Sequence, residues 1–146
     1  MKYFYSIIYL FIYQISFSQH PVSWTINYSP KKNIVIFNAT IDSNWHLYAV
    51  NVPFPNEGPL PTIIEFKKQK NYLLKGEVFQ ERPITKYDKG FGTKVAYYKN
   101  KTSFYQKIEP LESSFKISGV VKYMACDDSQ CLSLEKEFSM AINRQD

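Results

Sequence analysis

Cys126 and Cys131 are the only cysteines in the chain and enclose four residues, Asp127-Asp128-Ser129-Gln130. Two thiols this close can bond to each other, exchange that bond with a third thiol, or hold a soft metal ion. Two cysteines permit one intramolecular connectivity, Cys126–Cys131. In the chain-entropy picture a closed loop of about six residues is worth only about 2 kcal/mol, against nearly 5 for a loop of about 100. A bond of such small mechanical value beside a turn is a candidate for a labile, exchangeable one. A passive hairpin disulfide is the plain alternative. The third is a Cu(I) site, for which Met124, Cys126 and Cys131 would be suitably soft ligands. His20 and His46 stand far away in sequence and make no ligand spacing with the cysteines.

Asp127 and Asp128 put negative charge directly after Cys126. Like charge disfavours the thiolate and raises a thiol pKa. No Cys-x-x-Cys motif or helix start is at hand to lower it. The pair is therefore expected to be attacked as a disulfide by a partner's thiolate, or to be activated within a complex, with Asp127 or Asp128 helping to move the proton.

The elements that must carry this pair read as strands. Trp24, Ile26 and Tyr28 alternate with polar residues, as do Val35, Phe37, Ala39 and Ile41. Further runs are 45–50, 62–66, 72–78, 94–98, 103–108 and 115–124, where Phe115, Ile117, Val121 and Tyr123 share a side. Leu134, Phe138, Met140 and Ile142 share a face of the last run. Period-two patterning broken by frequent turn signals points to an all-β, antiparallel β-sandwich. Cys126 would end one strand and Cys131 open the next, so the pair spans a hairpin tip. Residues 81–92 are expected to be a loop without strand character. In it Gly90 and Gly92 bracket Phe91, which makes an aromatic loop tip.

The chain has 146 residues and a formal charge of +5. Met1-Lys2 followed by an apolar run of about 13 residues, too short for the roughly 20 of a membrane span, has the layout of a secretory signal peptide. Small residues around Ser16-Phe17-Ser18 place cleavage after Ser18, with a single domain at 19–146. Loss of Lys2 leaves 17 basic against 13 acidic residues. These are scattered, with no basic stripe, so nucleic acid is not an expected partner. No membrane span is expected after cleavage, and the expected location is periplasmic or secreted.

At the cysteines the chain resembles a known family. Gly119-Val120-Val121-Lys122-Tyr123-Met124-Ala125-Cys126-Asp127-Asp128-Ser129-Gln130-Cys131-Leu132 is similar to the cysteine hairpin of the N-terminal domain of the DsbD thiol:disulfide interchange proteins. Trp45-His46-Leu47-Tyr48-Ala49 and Gly58-Pro59-Leu60-Pro61-Thr62 resemble that domain's earlier segments. The resemblance implies a periplasmic immunoglobulin-like fold whose two cysteines shuttle between dithiol and disulfide. It implies thioredoxin-fold partners reached through transient mixed disulfides, with electrons passed on to disulfide isomerases or cytochrome c maturation proteins. It also implies a cap loop, here Asp88, Gly90 and Phe91, with Phe91 as the cap, and Tyr48 and Tyr123 packed around the pair. Ser133 and Leu134 stand where the family often has prolines. The family protein continues into membrane and thioredoxin-like parts, whereas this chain stops at Asp146, so the expectation is either a free-standing adaptor or a relative that kept the fold and changed its job.

The functional expectation is thus a thiol–disulfide exchange adaptor using Cys126 and Cys131, with no diffusible cofactor and no metal. A redox relay of this kind is only loosely a protein-disulfide reductase. The alternative from another class is a secreted immunoglobulin-like binding module with a structural disulfide and a Tyr/Trp surface for peptide or glycan. His46, beside Trp45 in a strand, reads as a structural histidine, and no Ser/His/Asp set has catalytic spacing.

Overall fold

Alternating side chains need two apolar layers to face each other, and the chain supplies them as two antiparallel sheets. The computed structural model describes residues 20–144. The signal-peptide expectation for residues 1–18 lies outside them. In chain order the strands are β1 (Val22–Ser29), β2 (Ile34–Ile41), β3 (His46–Tyr48), β4 (Ile63–Phe66), β5 (Tyr72–Gln80), β6 (Ile84–Asp88), β7 (Thr93–Tyr98), β8 (Lys101–Pro110), β9 (Ser114–Cys126) and β10 (Cys131–Asn143). One sheet runs β1-β2-β8-β5 and the other β10-β9-β3-β7-β6, with β4 also paired to β9. The result is an all-β, immunoglobulin-like sandwich. Among the described residues no helix is long and apolar enough to cross a membrane.

The core lies where the expected faces meet. Val35, Phe37, Ala39 and Ile41 from β2 are buried together with Phe115, Ile117, Val121 and Tyr123 from β9. Aromatic rings lock the layers edge to face: Phe37 meets Phe138 at 5.1 Å between centroids and Phe66 at 5.9 Å, and Trp24 meets Tyr123 at 5.3 Å. Such pairs add about 0.5–1.5 kcal/mol each beyond area burial.

β9 organises the second sheet. It pairs with β10 over thirteen register positions, from Cys126 opposite Cys131 to Ser114 opposite Asn143. Its other edge is shared by two short strands, β4 alongside Gly119–Lys122 and β3 alongside Ala125–Cys126. Gly119 permits the closeness of β4, because a Cβ there would lie 2.0 Å from the Glu65 carbonyl oxygen. β10 is an outer strand, and Lys136 interrupts its apolar alternation with an exposed charge, a device that discourages edge-to-edge pairing.

One expectation is corrected. Residues 81–92 are not strandless, since 84–88 form β6 and pair with β7 from Ile84 opposite Tyr97 to Asp88 opposite Thr93. β6 is an edge strand, and its first four residues are all exposed. With neither face buried it carries no hydrophobic period, and its stability comes from the ladder with β7. The aromatic tip survives as the turn of this new hairpin.

Candidate functional site: a disulfide at the lip of an aromatic cleft

Strand parity separates the disulfide from the sandwich core. Tyr123 and Ala125 face the core, so Met124 and Cys126 project from the opposite side of β9. There a second, smaller apolar cluster forms from Tyr48, Val95, Tyr97 and Cys126, with Phe91 and Met124 packed against it. Cys126 and Cys131 are bonded, with sulfurs 2.03 Å and Cα atoms 4.1 Å apart. Cys126 is 4% exposed, whereas Cys131, first residue of an edge strand, is exposed. With the sulfurs bonded to each other, neither is a thiolate ligand. Among the described residues no group of three His, Cys, Asp or Glu side chains could hold a metal ion.

The hairpin tip is tied by one carboxylate. Asp127 Oδ1 accepts hydrogen bonds from the backbone N–H of Ser129 and of Gln130, both at 2.8 Å, and from the Ser129 hydroxyl at 2.9 Å. The Asp127 N–H in turn donates to the Gln130 carbonyl at 3.0 Å. The N–H donors, that of Ser129 first, hold the Asp127 carboxyl below its ordinary range, as expected when hydrogen bonds favour the charged form. Asp127 thus acts on its own turn, a local Asx arrangement.

A cleft of about 450 Å³ opens beside the disulfide, lined by His46, Tyr48, Lys86, Asp88, Gly90, Phe91, both cysteines and the four tip residues between them. The β6–β7 turn supplies one wall. Asp88 Oδ1 accepts from the N–H of Gly90 at 2.8 Å and of Phe91 at 3.3 Å, and the Gly92 N–H donates to the Asp88 carbonyl at 2.8 Å. Gly92 has φ +68°, a left-handed conformation that closes the turn. Phe91 is thereby set edge-on against Tyr48, with centroids 6.1 Å apart. Tyr48 is held by its neighbours: its carbonyl accepts from the Thr62 hydroxyl at 2.6 Å, and Ala49 bonds to Ala96. Burial first, then the charge of Asp88 and the neighbouring Tyr97, pushes the Tyr48 phenol up to about 12. It remains a neutral hydroxyl at physiological pH.

Of the residues singled out from the sequence, Cys126, Cys131, Asp127, Asp128, Asp88, Phe91 and Tyr48 all line this cleft. Tyr123 does not: it is buried in the sandwich core against Trp24, on the far side of β9. His46, read from the sequence as a structural histidine, and Lys86, given no role there, also line the cleft. His46 stands directly opposite Cys126 in register, and its ring meets Tyr97 edge-on at 4.6 Å. Lys86 reaches over the Tyr97 ring at 5.3 Å, with Lys99 at 6.0 Å. The parity shared by His46 and Tyr48 was visible in the sequence. The pairing of β3 with β9, and the strand character of the segment carrying Lys86, were not.

The chain matches, over residues 16–142, the family described as "Thiol:disulfide interchange protein DsbD, N-terminal". Among solved structures it is similar to the reduced N-terminal domain of DsbD from Neisseria meningitidis, with 12% identity, a TM-score of 0.51, and coverage of 84% of this chain and 91% of that one. That likeness bears on the fold. No curated protein matches the chain. The family works in periplasmic thiol–disulfide exchange through a disulfide, and this chain carries the bond Cys126–Cys131. With the family matched over most of its length, the chain belongs to the N-terminal domain family of the DsbD thiol:disulfide interchange proteins.

Proposed function

We propose that the protein is a periplasmic electron relay whose Cys126 and Cys131 cycle between disulfide and dithiol through transient mixed disulfides with thioredoxin-fold partners. The observation that carries this is the asymmetry of the pair, with Cys131 exposed and Cys126 buried at the lip of the cleft. A bond across the end of a hairpin already paired at thirteen positions adds little to holding the fold. It is well placed for exchange.

In the proposed cycle a reduced partner's thiolate attacks the exposed Cys131 sulfur. The bond to Cys126 breaks, and Cys126 leaves as a thiolate. The partner's second thiol then attacks the mixed disulfide, leaving as disulfide and giving the dithiol form. The reverse sequence passes the electron pair to an oxidised partner. Tyr48 and Phe91 shield the pair, Asp88 holds Phe91 in place, and Asp127 orders the tip. Asp128 adds negative charge to the cleft, and Tyr123 supports β9 from the core side. The mature protein in this reading is a single domain at 19–146, released by removal of residues 1–18.

A redox titration followed by trapping tests the relay. A relay is expected to titrate near about −200 mV, whereas structural disulfides usually lie below about −300 mV. Cys126→Ser leaves Cys131 to hold a mixed disulfide with a thioredoxin-fold protein bearing a Cys-x-x-Cys pair, visible on a non-reducing gel. A potential in the structural range together with no trapped adduct would refute the relay.

A further inference from the structure

The return half of the relay has a proton problem. Once Cys131 is joined to an oxidised partner, Cys126 must attack Cys131 to release that partner, and it must do so as a thiolate. The acids that follow it, Asp127 and Asp128, disfavour that thiolate. Asp127 is already committed to its turn, and the Tyr48 hydroxyl is a donor.

We propose that His46 is the base that takes the proton from Cys126 in this resolving step. The inference rests on the relay reading above. Cys131, Cys126 and His46 form one row across the adjacent strands β10, β9 and β3. Side chains of register partners project from the same face, with Cβ atoms about 4.5–5.5 Å apart. All three residues line the one cleft.

The surroundings favour a neutral, receptive imidazole. Lys99, just after β7, and Lys86 from β6 oppose its protonation, while Asp128 from the hairpin tip and Asp88 from the end of β6 favour it. Tyr97 from β7 touches the ring, and Tyr48 lies on the same strand face. Burial, then the two lysines, outweigh the acids and lower its pKa below the ordinary 6.5. The ring is therefore mostly uncharged at neutral pH.

The step balances. Cys126–SH gives its proton to His46, and the thiolate attacks the Cys131 sulfur of the mixed disulfide. The Cys126–Cys131 bond forms as the Cys131–partner bond breaks. The partner leaves as a thiolate, and the proton on His46 passes to it or to water.

Dithiobis-nitrobenzoate, a small aromatic disulfide, isolates this step without a protein partner. Mixed with the reduced protein, it should release one coloured thiolate in a bimolecular phase, when Cys131 attacks. A second appears in a unimolecular phase, when Cys126 resolves the adduct. His46→Gln is expected to slow the second phase by about tenfold or more at neutral pH and leave the first nearly unchanged. In the wild type the second phase should rise with pH through an inflection that matches the His46 imidazole titration seen by NMR in the reduced protein. That inflection should vanish in His46→Gln. A second phase with unaltered rate and pH profile in His46→Gln would overturn the proposal. So would a wild-type profile lacking the imidazole inflection, a result that needs no variant to fold. A second phase slowed by Asp128→Asn but not by His46→Gln would assign the proton to the carboxylate and overturn it too. Failure of the relay reading is told apart because it appears in the redox titration and trapping, while these two phases stay readable.

Discussion

At the scale of single residues, two carboxylates that look alike in sequence do different work. Asp127 faces back into the tip and accepts three hydrogen bonds from Ser129 and Gln130. Asp128 is left as a charge along the cleft. Because hydrogen bonding lowers the folded-state pKa of Asp127, its ordering of the tip is complete above the ordinary carboxylate value. That ordering is lost as pH falls through the lowered one. The Ser129 and Gln130 amide resonances should therefore shift together with a midpoint below 3.8, as followed by proton–nitrogen NMR. In Asp127→Ala these two amides should exchange with solvent about tenfold faster while the remainder of β9 and β10 keeps its protection. Unchanged exchange at both would show that the backbone turn holds without the carboxylate.

At the scale of elements, the site is two hairpin ends brought against one short strand. β9–β10 delivers the disulfide, β6–β7 delivers Phe91, and β3 delivers His46 and Tyr48 between them. The β6–β7 end is the weaker partner. Its turn is held by Asp88 and by a left-handed Gly92, and most of β6 is exposed. Asp88→Ala removes the acceptor for Gly90 and Phe91 and should free Phe91 from Tyr48. Reduction of the disulfide by a small dithiol is then expected to accelerate by about three- to tenfold, a change of roughly 1 kcal/mol in barrier. Stopped-flow reduction at fixed pH measures this. A rate equal to wild type would mean that Phe91 does not shield the bond.

At the scale of the whole molecule, the chemistry is kept apart from the structure that carries it. The large core sits between the sheets, and the small Cys126 cluster sits outside them. Damage to the first should lower stability with little effect on exchange. Phe37 is fully buried and meets both Phe66 and Phe138, so Phe37→Ala is expected to cost about 3–5 kcal/mol. Urea unfolding of the oxidised protein measures it. The folded fraction should retain the wild-type rate of disulfide reduction. A parallel loss of reduction kinetics in folded protein would show that the two clusters are coupled.

The fold was legible wherever burial imposes a period. The β2, β9 and β10 faces were read correctly because each turns alternate residues into one core. β6 was missed because an exposed edge strand has no such period. The cysteine hairpin was legible because both cysteines and their tip are local in sequence. Tyr123 was expected near the pair from the family resemblance, yet three residues along a strand from Cys126 reverse the face, and it lies in the core against Trp24. What the sequence by itself determined was the strand alternation, the single possible disulfide and the turn that carries it. Only the tertiary structure placed His46, 80 residues before Cys126, opposite that cysteine, and Lys86 beside the same cleft. The reason is physical: a strand's own pattern specifies which face is buried, whereas its neighbour and register are chosen by packing across the whole sheet.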